Sequence, residues 1–368
     1  MLKFTVLLVL MSVSGLSFSA PGPEVFEIMT WNVENLFDNT HDEHHLDWEY
    51  TEFGTPGKVE GCQSFDVNYF VKRCLRTNWS DYHVESKLDA IAKVVRREGR
   101  RLPRVLALQE VENQNIVGQL ARKLGYKSFE ITTGLDGRGI NVALLYNESD
   151  NFKFLGKLEH SIDTRELRKP TRNILEVQFI VGGKFTLSVF VNHWPSQSNP
   201  VSDRLKAAES LSKVISGYSN NNPQEHYYVV VGDFNVNGQD YPNPVSKYFV
   251  NASTVPFYDA EQEFRKSPVI SEVVKNKIPK GSYFYKRDGI WNKLDKILVD
   301  TRLFDRRGPE IVLSKFDIYA HPEMLRVYSV IPGLELPEDQ LIPQRFEETS
   351  NGFVGASDHF PMSLFFKF

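Results

Sequence analysis

The pattern of apolar and polar positions along the chain predicts more strands than helices. Residues 27–33 alternate and are rich in β-forming side chains, so we expect a strand there. Short apolar runs predict further strands at residues 104–108, 140–146, 175–180, 185–192, 227–231, 293–299 and 361–366. Apolar residues at helical spacing predict helices at residues 86–97, with Ser86 as the N-cap, and at 115–124 and 204–215.

The order of these elements indicates the fold class. Helices do not alternate strictly with strands, which argues against a purely parallel, doubly wound sheet. We therefore expect an α/β fold in which two mixed, mainly antiparallel β-sheets pack face to face with helices outside. No internal repeat and no low-complexity linker divides the chain, so we expect a single domain over residues 21–368.

A long polar segment at about residues 38–81 interrupts the strand pattern and is expected to form an insertion beside the core. Cys62 and Cys74 lie in it, twelve positions apart, and in an oxidising compartment such a pair is expected to form one disulfide. Two free buried thiols are the alternative; a zinc site is disfavoured because no CxxC spacing is present. The nearby His41, His44 and His45 are typical of a polar surface, with adventitious metal binding as the less favoured interpretation.

The first twenty residues have the layout of a signal peptide. Lys3 gives a positive start, an apolar run follows at residues 4–11, and small residues gather up to Ala20. The run is too short to span a membrane comfortably, so an uncleaved anchor is the less favoured interpretation. We expect a cleaved peptide at residues 1–20, a secreted or periplasmic protein, and no stable membrane insertion.

Composition and charge restrict how the protein can meet a polyanion. The 368 residues are 41% hydrophobic and 24% charged, which is ordinary for a soluble globular protein. The formal net charge is −4, whereas a protein that coats nucleic acid through bulk electrostatics is usually basic. Any contact with nucleic acid must therefore come from a local patch or a bound metal.

Six short polar motifs stand at or beside the ends of the strand-like runs. They supply carboxylates, amides and imidazoles, which are the groups that bind metals or transfer protons, and strand ends hold such groups rigidly at a shared rim. One such motif alone is more often a simple turn, but six are harder to explain in that way. The six are TWNVE (30–34), QEV (109–111), NHWP (192–195), GDFN (232–235), LDK (294–296) and SDHFP (357–361).

In this order the motifs resemble those of the endonuclease/exonuclease/phosphatase superfamily, which includes DNase I-like nucleases, sphingomyelinases and inositol-polyphosphate phosphatases. The resemblance runs from WNVEN near residue 31 to SDHFP near residue 357. It implies a DNase I-like four-layer sandwich with the site at one edge. It also implies a hard divalent cation, Mg²⁺ or Mn²⁺ with Ca²⁺ as a further option, because such ions prefer oxygen ligands.

Carried over position by position, the resemblance implies metal-binding roles for Asn32, Glu110 and Asp358. A metal there would neutralise the charge that a phosphodiester presents to an anionic nucleophile. It further implies that Asp233 activates or orients the attacking water and that Asn235 holds a phosphate oxygen.

The same resemblance implies that Asp295 bonds the last histidine, His359, which accepts a proton or stabilises the oxyanion. His193 would face the leaving group or a phosphate oxygen, with a purely structural role as the alternative. Which of His193, His359 and Asp233 acts as the base stays open. Arg138, in a turn before a strand, is the favoured phosphate contact, because a planar guanidinium suits phosphate. The basic residues between 93 and 104 are interpreted as a solvated helix end.

Three functions compete at this point. The favoured one is an exported endonuclease that acts on DNA more readily than on RNA. The second is a sphingomyelinase-like or other phosphoesterase on lipid or soluble phosphates, for which the aromatic residues at 283–285 and Trp291 are the hints. The third is a non-catalytic binding protein, ranked last because every motif keeps chemically competent residues.

Overall fold

The computed structural model describes residues 24–163, 167, 169–221, 225–252, 254–305, 308–328 and 340–368. The expected signal peptide at residues 1–20 lies outside the described residues. Within them, no helix combines the length and hydrophobicity that a membrane crossing requires.

Eighteen strands are present among the described residues. In chain order they are β1 (Val25–Leu36), β2 (Val105–Val111), β3 (Ser128–Ile131), β4 (Asn141–Tyr146), β5 (Phe152–His160), β6 (Ile174–Val181), β7 (Phe185–His193), β8 (His226–Asp233), β9 (Phe257–Asp259), β10 (Tyr283–Tyr285), β11 (Ile290–Asn292), β12 (Asp295–Asp300), β13 (Glu310–Ile318), β14 (Leu325–Tyr328), β15 (Gln340–Pro343), β16 (Glu347–Thr349), β17 (Gly352–Val354) and β18 (Met362–Lys367).

Seven α-helices accompany them, together with short 3₁₀ or π turns at Trp48–Tyr50, Ser246–Val250, Thr301–Phe304 and Pro322–Met324. In chain order the helices are α1 (Lys58–Gln63), α2 (Asn68–Arg76), α3 (Asp81–Arg96), α4 (Gln114–Leu124), α5 (Val201–Asn221), α6 (Ala260–Lys266) and α7 (Glu272–Lys275).

Two six-stranded sheets form the centre of the molecule. The first has the order β13-β18-β1-β2-β4-β3 and the second the order β5-β6-β7-β8-β12-β9. Neighbours are antiparallel except for β1 with β2 and β7 with β8, which are parallel. The expectation of two mixed, mainly antiparallel sheets is thereby confirmed.

The sheets face each other, and helices cover their outer faces. Strands β1 and β2 pack opposite β7 and β8 across a shared apolar core. Helices α3 and α4 lie on the first sheet through side chains such as Leu88 and Leu120, and α5 lies on the second through Leu211. Because both faces of the central strands are covered, runs such as Val-Leu-Ala-Leu in β2 are buried throughout. The result is the four-layer α/β sandwich that the resemblance implied.

Helix α3 begins earlier than the sequence predicted. It starts at Asp81 with Ser80 as the N-cap residue, so the expectation that Ser86 caps it was wrong. Val84 lies one turn before Leu88 and is also buried, so the apolar stripe that packs on the sheet extends one turn further back. The acidic Asp81 in the first turn complements the helix dipole.

The end of the same helix agrees with the interpretation of its basic residues as solvated at Lys93, Arg96, Arg100 and Arg101, which are exposed, and departs from it at Arg97. Arg97 is only 2% exposed, and its guanidinium donates to both carboxylate oxygens of Glu27, over 2.7 and 2.5 Å. A bidentate pair of this kind satisfies two charges that would otherwise be buried alone.

The insertion after β1 contains two helices, α1 and α2, joined by the disulfide between Cys62 and Cys74 that the sequence predicted. Its described residues add no strand to either sheet. Aromatic rings fix its base to the core: Phe37 stacks on Tyr50, which meets Trp79 edge to face. The insertion is therefore anchored where it leaves β1 and where it returns at α3.

Candidate active site

The sequence motifs meet at one edge of the two sheets. Asn32 and Glu110 lie near the carboxyl ends of the parallel strands β1 and β2. His193 and Asp233 end the parallel strands β7 and β8 and are partners in the register, and Asp295 stands opposite Asp233 at the start of β12. Carboxyl ends of parallel neighbours lie at the same edge of a sheet, so the topology brings these side chains together.

A glycine permits the close approach of two of these strands. Gly232 has a φ of 130°, and a Cβ on it would lie 2.0 Å from the carbonyl oxygen of Asn192. Only glycine fits that conformation and that space. The first residue of the GDFN motif therefore brings Asp233 beside His193.

Asn32 joins two carboxylates. Its Nδ2 donates to Oε1 of Glu110 over 3.3 Å and to Oδ2 of Asp233 over 3.1 Å. Its Oδ1 accepts from the backbone N–H of Glu34 over 3.0 Å. Glu110 also accepts, at Oε2, from the backbone N–H of Asn35 over 3.1 Å.

The backbone of Glu110 is what directs its side chain into the site. Glu110 has a φ of 62°, and the pairing of β2 with β4 shifts register between Gln109 and Val111. A bulge re-aims a side chain that would otherwise follow the alternation of the strand, and it stores strain of about 1–3 kcal/mol. The Glu110 side chain keeps 17% of its surface exposed, which leaves a carboxylate face open to a ligand.

A second pair of carboxylates is held by one arginine. Nε of Arg345 lies 3.1 Å from Oε1 of Glu34 in an ion pair, and its Nη2 donates to Oδ2 of Asp358 over 2.6 Å. Burial, and then the charge of Asp358, raise the pKa of Glu34 to about 8. Burial lowers the pKa of Lys87, which donates to the Glu34 carbonyl over 3.0 Å, to about 8. Two carboxylates and two cations thus lie together, and burial is the main cause of both pKa shifts.

Asp233 has the environment of a group that exchanges a proton near neutral pH. Its Oδ1 accepts from the backbone N–H of Asn235 over 2.8 Å. Burial and then the charge of Asp295 raise the pKa of Asp233 to about 7. The Asn235 side chain donates to the Trp194 carbonyl over 3.1 Å, which fixes its amide beside the site.

His359 is paired with a buried carboxylate. Its Nδ1 lies 2.7 Å from Oδ2 of Asp295, which is only 1% exposed, and its Nε2 lies 3.9 Å from Oδ1 of Asp358. Burial lowers the pKa of His359, but the charge and hydrogen bond of Asp295 outweigh it and the net pKa lies well above the usual value. His359 is therefore an imidazolium at neutral pH, with Nδ1–H donated to Asp295.

The surroundings of His193 shift its pKa in the direction opposite to that of His359. Burial, and then the charges of Arg172 and Arg138, lower its pKa well below the usual value, so the ring is neutral. Its Nε2 lies 3.7 Å from Glu110 Oε1 and 3.8 Å from Asp233 Oδ2, beyond direct hydrogen bonds. Two histidines whose pKa values are driven apart are suited to different tasks.

Two arginines supply positive charge beside the carboxylates. Arg172 is buried and donates to Oδ2 of Asp136 over 3.0 Å and to the Trp194 carbonyl over 2.8 Å. Arg138 donates to Oδ1 of Asp136 over 3.4 Å, and 51% of its side chain is exposed. The charge of Glu110 acts on both. Arg138 is thus half-open to solvent, and its predicted role as a phosphate contact stays a prediction.

A sequence profile of the Endonuclease/Exonuclease/phosphatase family matches residues 27–367, nearly the whole chain. The protein belongs to this family. Members of the family are metal-dependent hydrolases, which makes hydrolysis with a divalent ion the coarse function of this chain. No curated protein sequence matches it.

Solved structures of this family share the fold. One is a family protein from Bacteroides thetaiotaomicron, with a TM-score of 0.52 and 13% identity over 95% of this chain and 99% of that one. A humanized D. rerio TDP2 with 14 mutations has a TM-score of 0.50 and 16% identity over 93% and 98%. A truncated Caenorhabditis elegans TDP2 has a TM-score of 0.50 and 15% identity over 93% and 97%. At these identities the likeness establishes the fold alone.

The donor set fits the divalent ion that the family uses. Asp233, Asp295 and His359 each offer one ligand atom, and these atoms all lie within 4.8 Å of one another. Glu110, Glu34 and Asp358 add carboxylate oxygens, and each of these side chains is 15–17% exposed, which leaves room for water and substrate. Burial is the largest cause of the raised pKa of Glu34, and the charge of Asp358 adds to it. Asn32, by contrast, turns Nδ2 rather than Oδ1 towards Glu110, so here it orients the carboxylate.

Several residues of the site were missed by sequence reasoning. Glu34 stands inside the WNVEN motif but was not assigned a role, although its position in a family motif was a usable indication. Arg345 and Arg172 lie in irregular segments without a motif, and only the folded chain brings them to the carboxylates. No sequence pattern distinguished them from the other arginines.

Proposed function

We propose that this protein is an exported, metal-dependent phosphodiesterase that cleaves nucleic acid, DNA in preference to RNA. The observation that carries the proposal is geometric: His359 Nδ1 lies 2.7 Å from Asp295, and one ligand atom each of His359, Asp295 and Asp233 lie within 4.8 Å of one another. Burial raises the pKa of Asp233 to about 7, and Asp295 raises the pKa of His359, which suits the first to accept a proton and the second to carry positive charge. Phosphodiester hydrolysis requires a group that accepts a proton from water and a cation that faces the developing oxyanion.

The metal and its ligands would stand on the other side of the reacting phosphate. Glu110 and Asp358 would hold Mg²⁺ or Mn²⁺, with Ca²⁺ as a further option and Asn32 orienting Glu110. The bound ion would neutralise phosphate charge and make the phosphorus more electrophilic. Arg138, half-exposed beside Glu110, would contact a flanking phosphate.

The proton chemistry would be divided among three side chains. Asp233, fixed by Asn32 and by the Asn235 backbone, would orient water and accept its proton. His359 would stabilise the oxyanion through Nε2–H. Neutral His193 would hydrogen-bond a phosphate oxygen or the leaving group, and Asn235 would hold a phosphate oxygen. This division leaves each group in the protonation state that its surroundings favour at neutral pH.

A lipid phosphodiester is the second candidate, and the aromatic hairpin bears on it. Insertion into a bilayer would need exposed aromatic rings on β10 and β11. Phe284 is 3% exposed, and Trp291 packs against both Phe284 and Phe360. Of the large hydrophobic side chains of the hairpin, Tyr285 and Ile290 are the exposed ones, at 38% and 51%. Most of its aromatic surface serves the core, which favours nucleic acid over lipid.

Export is supported by two independent features. The sequence of residues 1–20 has the layout of a signal peptide, and the insertion carries the Cys62–Cys74 disulfide, a bond that persists in oxidising compartments. Fractionating cells that express the full chain, with mass determination of the mature N-terminus, tests this part. Retention in the cytoplasm with residues 1–20 intact would contradict it.

One purified preparation tests the activity. It would be incubated with supercoiled plasmid, RNA, sphingomyelin vesicles and a chromogenic phosphodiester and phosphomonoester, with Mg²⁺, Mn²⁺ or Ca²⁺. We expect plasmid and diester cleavage that EDTA abolishes. His359→Gln should lose it, whereas His44→Gln, on a side chain 87% exposed, should retain it. Cleavage of the monoester or the lipid alone would refute the nuclease proposal.

A further inference from the structure

Three carboxylates that take no part in the candidate active site converge where the insertion leaves β1. Asp42, Asp47 and Glu112 each offer one oxygen, and these oxygens all lie within 4.8 Å of one another. We call these three residues the outer acidic cluster. Asp47 is 1% exposed and Glu112 2%, while Asp42 is partly exposed. Two of the three charges are thus almost fully removed from water.

An unpaired oxygen points to a missing partner. Oε2 of Glu112 accepts from the backbone N–H of Asp38 over 2.8 Å, but the buried Oε1 has no hydrogen-bond donor among the described residues. A buried carboxylate oxygen without a partner is costly, and native proteins rarely leave one in that state. The charged side chains that act most strongly on Glu112 are Asp38, Asp42 and Asp47, all acidic.

In the part of the chain that the structure describes, the basic group in direct contact with the cluster, His41, does not balance it. Nδ1 of His41 bonds Oδ1 of Asp47, and the His41 ring stacks on Trp48 with 3.5 Å between centroids. Asp47 Oδ2 accepts from the backbone N–H of Asp42 over 2.7 Å. When all three carboxylates are ionised, as they would be on an ion, even a protonated His41 leaves an excess of two negative charges. A divalent cation has the charge that is lacking.

We propose that Asp42, Asp47 and Glu112 bind a calcium ion. Oxygens at this spacing can all touch one ion at Ca–O distances of about 2.3–2.6 Å, with water completing the shell. Calcium is the best match because it accepts irregular, carboxylate-rich shells, whereas magnesium demands near-ideal octahedral geometry. Structural zinc sites are mostly built from cysteine and histidine in tetrahedral order, whereas this cluster offers only carboxylates.

The ion would fasten the insertion to the first sheet. Asn113, which follows Glu112, caps helix α4 by accepting from the Ile116 N–H over 3.1 Å. Its Nδ2 donates to Asp38 over 3.2 Å and to Asp42 over 3.3 Å. Calcium on the outer acidic cluster would therefore tie the start of the insertion to the junction of β2 and α4, and the site would be structural.

Terbium luminescence gives a direct readout. Tb³⁺ replaces Ca²⁺ at oxygen-rich sites and emits when a nearby indole is excited, and Trp48 lies against His41 at the cluster. The protein would carry Glu110→Gln, which weakens the candidate catalytic site. We expect sensitised emission that Ca²⁺ displaces, and a rise in the unfolding temperature when Ca²⁺ is added to EDTA-treated protein.

A variant and a matched control separate this site from unspecific binding. Asp42→Asn should weaken Ca²⁺ displacement of Tb³⁺ by about tenfold or more, because affinity follows the number of charged ligands. Asp66→Asn removes one charge from an exposed position of the same insertion and should change nothing. Circular dichroism would verify that both variants fold.

Two results would overturn the proposal. In the first, the protein with an unchanged outer acidic cluster shows no Tb³⁺ emission that Ca²⁺ displaces, and its unfolding temperature does not depend on Ca²⁺. The other is an Asp42→Asn protein that binds as tightly as its parent. Neither depends on catalysis, so the calcium site can fail while the phosphodiesterase proposal stands, and the reverse.

Discussion

Replacing Asp295 by asparagine isolates the contribution of one buried charge to the candidate site. The carboxylate lies 2.7 Å from Nδ1 of His359 and directly opposite Asp233 in the β8–β12 register. Asparagine keeps the shape and removes the charge. The imidazolium then loses its counter-charge, and the amide can offer an N–H where an acceptor is needed, which turns or deprotonates the ring.

The size of the effect follows from the separation of the two charges. With charge centres about 4 Å apart and an effective dielectric constant near 20, the attraction is about 4 kcal/mol. If most of it persists in the transition state, kcat falls by about 10²- to 10³-fold, since about 1.4 kcal/mol corresponds to one power of ten. Removing Asp295 also removes a like charge beside Asp233, so the fold should not lose stability to the same extent.

The assay is the hydrolysis of a chromogenic phosphodiester with saturating metal, combined with thermal unfolding of the same preparations. Asp300→Asn is the matched control, because it removes a buried carboxylate from the other end of β12, where Asp300 bonds Arg302. We expect Asp295→Asn to lose turnover with little change in stability. The control should lose stability and keep turnover.

An Asp295→Asn protein with the turnover of its parent would refute the assignment of His359 as a charged participant. So would a loss of activity that merely follows a loss of folded protein. A metal-free NMR titration of the His359 ring adds a readout that does not depend on substrate, and its pKa should fall in the variant because the charge that raises it is gone.

Three further predictions concern metal dependence and stability. Glu110→Gln should lower metal-supported hydrolysis by at least about 100-fold without lowering the unfolding temperature; unchanged activity would indicate a contaminating enzyme. Arg97→Met should lower the free energy of unfolding in urea by about 3–5 kcal/mol, because it leaves Glu27 charged and buried; a loss below about 1 kcal/mol would contradict this. Burial raises the pKa of Glu176, but its four hydrogen bonds outweigh that and lower it, so Glu176 stabilises the fold above its ordinary pKa of 4.5. The stability difference between wild type and Glu176→Gln should therefore shrink as the pH falls below 4.5, and a constant difference would refute it.

Local patterns were sufficient for the fold class because the central strands are buried on both faces. An apolar run such as that in β8 is expected in the protein interior, and the polar groups that follow it mark where the chain leaves the sheet. The disulfide was also predictable, since two cysteines in one polar insertion have few other partners. The family motifs supplied the order in which these parts come together.

Other features depend on contacts that no local pattern encodes. Arg345 belongs to the site because it forms an ion pair with Glu34, which lies more than 300 positions earlier in the chain. The buried state of Arg97 comes from Glu27 on a strand formed far from it in sequence. The start of α3 was misjudged because Val84 belongs to the stripe that packs on the sheet, which only the packed sheet makes evident.

The pairing of β1 with β18 has a consequence for the order of biosynthesis. The indole of Trp31 donates to the His359 carbonyl across a sequence separation of 328 positions, and β18 inserts between β1 and β13. A ribosome must therefore release nearly the entire polypeptide before the central strand finds its second neighbour and the last histidine arrives. The candidate active site is therefore incomplete until β18 and the residues just before it have been synthesised.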